Sequence, residues 1–197
     1  RDALSTNTTA SNSTSIGYQS LKNATGSSNT AVGYQAGYAL TTGGGDPDNG
    51  GGGNTAVGYQ ALKADTDGGG STAIGYRALL SQVAGTNDSA QKANTAVGWK
   101  AGRSLTTGVG NTFLGYQAGR NAVETSGSVA IGNQAMAGYS GANINADANG
   151  TIAIGEYALM NLSTGQYNVA IGQYAMDANV TGDYNTAVGY NALTAMT

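Results

Sequence analysis

Short apolar runs of three residues, each closed by a glycine, return along the whole chain with longer polar stretches between them, and the string Asn-Thr-Ala-Val-Gly-Tyr-Gln-Ala recurs with small changes. The central glycines are Gly17, Gly33, Gly58, Gly75, Gly98, Gly115, Gly132, Gly155, Gly172 and Gly189. Their separations are 16, 25, 17, 23, 17, 17, 23, 17 and 17 residues, a period of 17 with insertions of six or eight. The insertions fall at one place in the unit, near 41–53, 81–93 and 137–150, and their polar, Gly-rich make-up predicts corner loops. A glycine in every apolar run argues against helical repeats. The pattern predicts an all-β, parallel β-solenoid of ten coils, with residues 1–12 as a lead-in and 13–197 as one repeat array.

Parity assigns the faces of each strand. Before each glycine stands a branched aliphatic: Ile16, Val32, Val57, Ile74, Val97, Leu114, Ile131, Ile154, Ile171 and Val188. Two residues earlier comes Thr in seven units and Val129, Ile152 or Val169 in the others. Both positions share a face, and their apolar character predicts that they fill the interior. The residue between them, Ala in eight of ten units, then faces outward and predicts a close chain-to-chain contact. After the glycine comes Tyr or Trp in seven units and Asn133, Glu156 or Gln173 in the three units that carry Val or Ile for Thr. Shared volume inside one coil is the expected reason for that exchange, and two duplicated subfamilies of unit are the alternative. With the rings inside, the next residue points outward, and this row includes Gln60, Arg77, Lys100, Gln117, Tyr157 and Tyr174 as candidate contacts with a ligand. Asn29, Asn54, Asn94, Asn111, Asn168 and Asn185 open six units and predict an amide ladder along the long axis. Ten coils at strand spacing give a rod about 50 Å long.

Composition narrows the function. Apolar material is mostly Ala, Val, Ile and Leu, with one Phe and one Trp, so the core of each coil is thin. A coil of 17 residues buries too little apolar surface to offset chain entropy alone, which argues for association. The net charge is -3 and basic residues form no run, so neither nucleic acid nor an anionic membrane is an expected partner. No stretch reaches the roughly 20 apolar residues of a membrane span.

Candidate chemistry is sparse. Without His or Cys, histidine bases, thiol nucleophiles, thiolate metal sites and disulfides are excluded, and no cofactor and no enzyme activity are expected. Asp46 with Asp48 and Asp65 with Asp67 are the nearest carboxylate pairs, set in Gly-rich loops where burial cannot tune them. The same four residues are the calcium candidates, since Asp46-Pro47-Asp48-Asn49-Gly50 alternates hard oxygen ligands; but Val57 stands where an EF-hand loop needs Glu, and a solvated turn is the simpler reading. Glycine runs 50–53 and 68–70 lack the Lys-Ser or Lys-Thr of a phosphate loop. A periodic Thr row suggests an ice-binding face only if it points into water, which the parity assignment disfavours.

The runs Ser128-Val129-Ala130-Ile131-Gly132, Thr151-Ile152-Ala153-Ile154-Gly155 and Asn168-Val169-Ala170-Ile171-Gly172 resemble the head repeats of trimeric autotransporter adhesins of the Yersinia adhesin type. The sister form Asn-Thr-Ala-Val-Gly-Tyr-Gln-Ala is similar to repeats of phage tail fibres. The resemblance covers about Ser13 to Met196 and departs in its longer period and inserted loops. It implies a left-handed β-roll, a homotrimer, an extracellular place on a cell surface or virion fibre, and attachment to a host-surface glycan or protein. A purely structural shaft, with recognition elsewhere, is the alternative.

Overall fold

The computed structural model describes residues 2–6, 11–40, 53–66, 68–83, 93–138, 143–144 and 148–194. Ten three-residue strands succeed one another: β1 (Thr14–Ile16), β2 (Thr30–Val32), β3 (Thr55–Val57), β4 (Thr72–Ile74), β5 (Thr95–Val97), β6 (Thr112–Leu114), β7 (Val129–Ile131), β8 (Ile152–Ile154), β9 (Val169–Ile171) and β10 (Thr186–Val188). They form one parallel sheet in chain order, so each coil stacks only on its neighbours. Equivalent positions pair throughout: Thr30 with Thr55, Ala31 with Ala56, Val32 with Val57. Insertions leave this register intact. The 25-residue step from Gly33 to Gly58 and the 17-residue step from Gly58 to Gly75 give the same pairing. The chain is all-β, a solenoid of ten coils, with no α-helix among the described residues.

The bend after each strand is made by the central glycine. Its φ is between +128° and +138° at all ten positions. Its N–H bonds the preceding coil, as Gly75 to the Val57 carbonyl at 2.7 Å and Gly98 to the Ile74 carbonyl at 2.8 Å. A Cβ on Gly75 would lie 2.3 Å from the Gly98 carbonyl oxygen, so both φ and the spacing between coils demand glycine here. Two further positions per coil take left-handed φ, non-glycine residues at both in seven coils, as Gln60 (55°) and Leu62 (51°) in the third, and glycine at the second in the others, as Gly37, Gly102 and Gly119. They turn the chain twice in quick succession, and Leu62 is thereby directed into the core.

The strand faces are the reverse of the expectation from hydrophobicity. Ala31, Ala56, Ala73, Ala96, Phe113, Ala130, Ala153, Ala170 and Ala187 are the inward residues, none more than 4% exposed. The aliphatics Ile16, Val32, Val57, Ile74, Val97, Leu114, Ile131, Ile154, Ile171 and Val188 are not the core; they are half-buried or exposed, Ile16 at 61% and Val188 at 68%. The Ala row is therefore not a chain-to-chain contact. The reason lies in the residue that opens each unit. Asn29, Asn54, Asn94, Asn111 and Asn168 are buried, and they share parity with the alanines. Each buried amide holds its neighbours in two directions. Asn54 Oδ1 accepts the Ser71 N–H at 3.0 Å, and Asn54 Nδ2 donates to the Gly68 carbonyl at 2.7 Å. Asn94 does the same for Asn111 N–H at 2.8 Å and the Gly108 carbonyl at 2.8 Å. The expected ladder exists, mostly as side-chain oxygen to backbone N–H, with a direct amide–amide bond from Asn111 to Asn94. Turning the asparagines outward would leave these corner groups unpaired, a cost of about 1–3 kcal/mol each.

Large apolar side chains fill the interior from beyond the bend, four and seven residues after the glycine. Leu21, Leu62, Leu79, Met136, Leu159 and Met176 occupy the first place, and Leu40, Leu105 and Leu162 the second, all fully buried. The sixth coil trades volume differently. Phe113 replaces Ala on the strand, and the flanking Gly102 and Gly119 leave its ring room: a Cβ at either would fall 2.6–2.8 Å from the ring. In the third and fourth coils Asp65 and Gln82 take the second place instead of Leu. Asp65 accepts from the Gly68 N–H at 3.0 Å and Gln82 Nε2 at 2.7 Å, and Gln82 also bonds Ser71 and Asn94. This polar plug is inside the solenoid and satisfied there.

Candidate functional site

The rings that follow the central glycine are exposed and the Thr, Val or Ile of the strand also faces outward, so the two do not share volume inside a coil. The rings share it with one another along the axis. Tyr18, Tyr34, Tyr59, Tyr76, Trp99 and Tyr116 form one stack, with centroids 4.9–5.9 Å apart and interplanar angles of 4–18°. Coil spacing imposes that distance, and parallel register imposes the parallel planes. Where the ladder ends, three polar residues replace it as a set. Glu156 accepts from Asn133 Nδ2 at 3.0 Å and from Gln173 Nε2 at 2.8 Å. Like stacks on like, which is why the three polar units are consecutive.

The next residue of each unit runs beside the rings and is partly covered. Gln35 Nε2 donates to Gln19 at 2.9 Å, Gln60 Nε2 to Gln35 at 3.1 Å, and Arg77 Nε to Gln60 at 3.0 Å. Each amide oxygen accepts from the following coil and each amide nitrogen donates to the preceding one, which leaves a linked amide one N–H and one lone pair. Of the predicted contact residues, Gln60, Arg77, Lys100 and Gln117 lie together beside this ladder. Gln117 is nearly covered, bonded to the Tyr116 hydroxyl and to Arg120 Nη1. Tyr157 and Tyr174 lie apart in the second half, stacked on each other at 5.1 Å. Burial, then neighbouring Tyr157 and Glu156, raise the Tyr174 pKa above its usual value.

A second polar row, five residues after the glycine, was not singled out from sequence. It carries Lys22, Tyr38, Lys63, Arg103 and Arg120. Lys22 and Lys63 each place Nζ 6.0 Å from the Tyr38 ring centre, one from each side along the axis. Lys100 Nζ sits 3.9 Å over Trp99, and Arg77 is 5.1 Å from the Tyr76 centre. Desolvation, then Arg103, Arg120 and Arg77 in turn, hold the Lys100 pKa below that of an ordinary lysine. Reading the 17-residue period at every offset, rather than only around the glycine, exposes this row in the sequence.

The calcium candidates do not assemble into a described site. Asp46, Asp48 and Asp67 lie outside the described residues, and Asp65 is the buried acceptor of the interior plug. Among the described residues no group of three or more acidic side chains is arranged to hold a metal ion, and no helix is long and apolar enough to cross a membrane. No protein family, curated protein or solved structure matches the chain.

Proposed function

We propose that this solenoid is a non-catalytic segment of a homotrimeric surface fibre, extracellular on a cell or virion, that attaches to a host or matrix surface through many weak contacts. The observation that carries the reading is the aliphatic row from Ile16 to Val188. It runs the length of the sheet on the outside of the isolated chain, where a continuous apolar line calls for a partner. A copy of the same chain offers the same row at the same spacing, so association in register repeats every contact ten times. The number three follows the resemblance to adhesin heads. Sedimentation at low concentration tests it, and a stable monomer would overturn the assembly. Retention of the immobilised segment on cells or glycan surfaces tests attachment; its failure, with the trimer intact, supports the alternative of a plain shaft.

A second reading gains from the reversed faces. Thr14, Thr30, Thr55, Thr72, Thr95 and Thr112 stand on the outer face, in line with the aliphatics, as a regular array of which Thr14, Thr30 and Thr95 are exposed and the others half-buried. That arrangement suits an ice-binding surface, and thermal hysteresis of a dilute solution is its test.

A further inference from the structure

The ring ladder and the cations end at the same place. Six rings occupy the first six coils, and Lys22, Lys63, Arg77, Lys100, Arg103 and Arg120 lie in the same stretch, in every coil but the second, on the two rows beyond the bend. None of the six has an ion-pair partner among the described residues, whereas in the ninth coil Asp177 takes the row of Lys22 and Arg103, and in the eighth Glu156 takes the row of the rings. Two guanidinium nitrogens, Nε of Arg103 and of Arg120, are covered and without a hydrogen-bond acceptor. The rod is therefore polarised: four neighbouring cations of the fourth to sixth coils have no ion-pair partner among the described residues, and after Arg120 the sequence holds five acidic residues and no basic one.

We infer that the ring-and-cation face of the first six coils is a docking surface for an acidic polysaccharide, whose carboxylate or sulfate groups meet Arg77, Lys100, Arg103 and Arg120. The inference rests on the attachment reading and names its ligand class. Charge complementarity supplies the attraction. The rest of the face selects the polymer. Stacked rings have their faces covered by one another and expose positive edges and, at tyrosine, hydroxyls, so they cannot intercalate or stack nucleobases. The amide row uses one donor and one acceptor of each linked amide internally and keeps one N–H and one lone pair, which suit the hydroxyl groups of sugars. Guanidinium groups bind carboxylate and sulfate in a paired geometry that a lone lysine cannot match.

Binding of the whole chain to polygalacturonate, heparin oligosaccharides, neutral dextran and single-stranded DNA, measured by calorimetry across salt concentrations, tests the inference. The expected result is binding to both acidic glycans, none to dextran, and a salt dependence that shallows when cations are removed. Two double variants, R77Q/K100Q and R103Q/R120Q, each weaken acidic-glycan binding by about tenfold or more, as loss of charge-assisted contacts requires. Their thermal melts identify any variant that fails to fold, and having two keeps one informative. E156Q/D177N, made on the acidic half, leaves the affinity unchanged or tighter. Equal binding of dextran and polygalacturonate, indifference to both double variants, or preference for DNA would overturn the ligand class. Retention on cells without affinity for acidic glycans overturns this inference and leaves attachment standing; retention on nothing overturns both.

Discussion

Gly75→Ala isolates the stacking constraint that makes the solenoid possible. The new Cβ would stand 2.3 Å from the Gly98 carbonyl oxygen, 2.7 Å from its carbon and 3.3 Å from its Cα. Those atoms are backbone, fixed by the Gly98 N–H bond to Ile74 at 2.8 Å, so no side-chain rotation relieves the clash. The fourth and fifth coils must separate or twist. Two controls divide the cost. Gly189 has nearly the same φ, +128° against +132°, yet nothing within 4 Å of its Cβ. Gly127 has φ +64° and likewise nothing within 4 Å. Backbone strain alone costs Gly127→Ala about 1–2 kcal/mol and Gly189→Ala about 1–3 kcal/mol. Gly75→Ala carries the same strain plus at least about 1–3 kcal/mol of overpacking, a total of about 2–6 kcal/mol. Urea unfolding of the three variants measures the difference, and amide exchange shows where it acts. The amides of Gly98 and Lys100, which bond across this junction, should lose protection first. Equal destabilisation by Gly75→Ala and Gly189→Ala would refute the claim that contact between coils, rather than φ alone, fixes glycine here.

Tyr59→Ala removes two stacked contacts, with Tyr34 and Tyr76, and should destabilise by about 1–3 kcal/mol, whereas Tyr190→Ala, with no stacked neighbour among the described residues, should cost much less; denaturation midpoints compare them. Gln82→Leu leaves Asp65 and Asn94 each short of a bond and should cost about 2–5 kcal/mol, while Asp65→Leu with Gln82→Leu restores the leucines seen at Leu40 and Leu105 and recovers most of the loss in a double-mutant cycle. Phe113→Ala should cost about 3–5 kcal/mol, and adding Gly119→Leu should regain part of it in thermal melts, because Leu62 already adopts the same left-handed φ in a coil with Ala on the strand. Raised Tyr174 keeps its proton more firmly in the folded state than unfolded, so its contribution is intact below about pH 10 and lost above it; Tyr174→Phe should flatten the decline in unfolding midpoint on that alkaline side.

Coil number, period, insertion sites, strand identity and the glycine bend are all legible in the sequence, because a solenoid writes each contact once per turn. Asn54 above Ser71 and Val57 above Ile74 can be paired by counting. The faces were not legible. Size and hydrophobicity put valine inside and alanine outside, and only the tertiary structure shows that Leu62 and Leu79, entering from beyond the bend, take the room beside the strand, where Phe113 fits only with Gly102 and Gly119 around it. Burial of the asparagine amides settles the parity, since a hydrogen bond that must be made outweighs a modest difference in apolar area. The same gap hid the candidate site. Arg77 and Lys100 could be picked out as outward, but their partnership with Arg103, Arg120 and the ring ladder depends on two left-handed residues per coil, which fold the second and fifth places after each glycine onto the surface together.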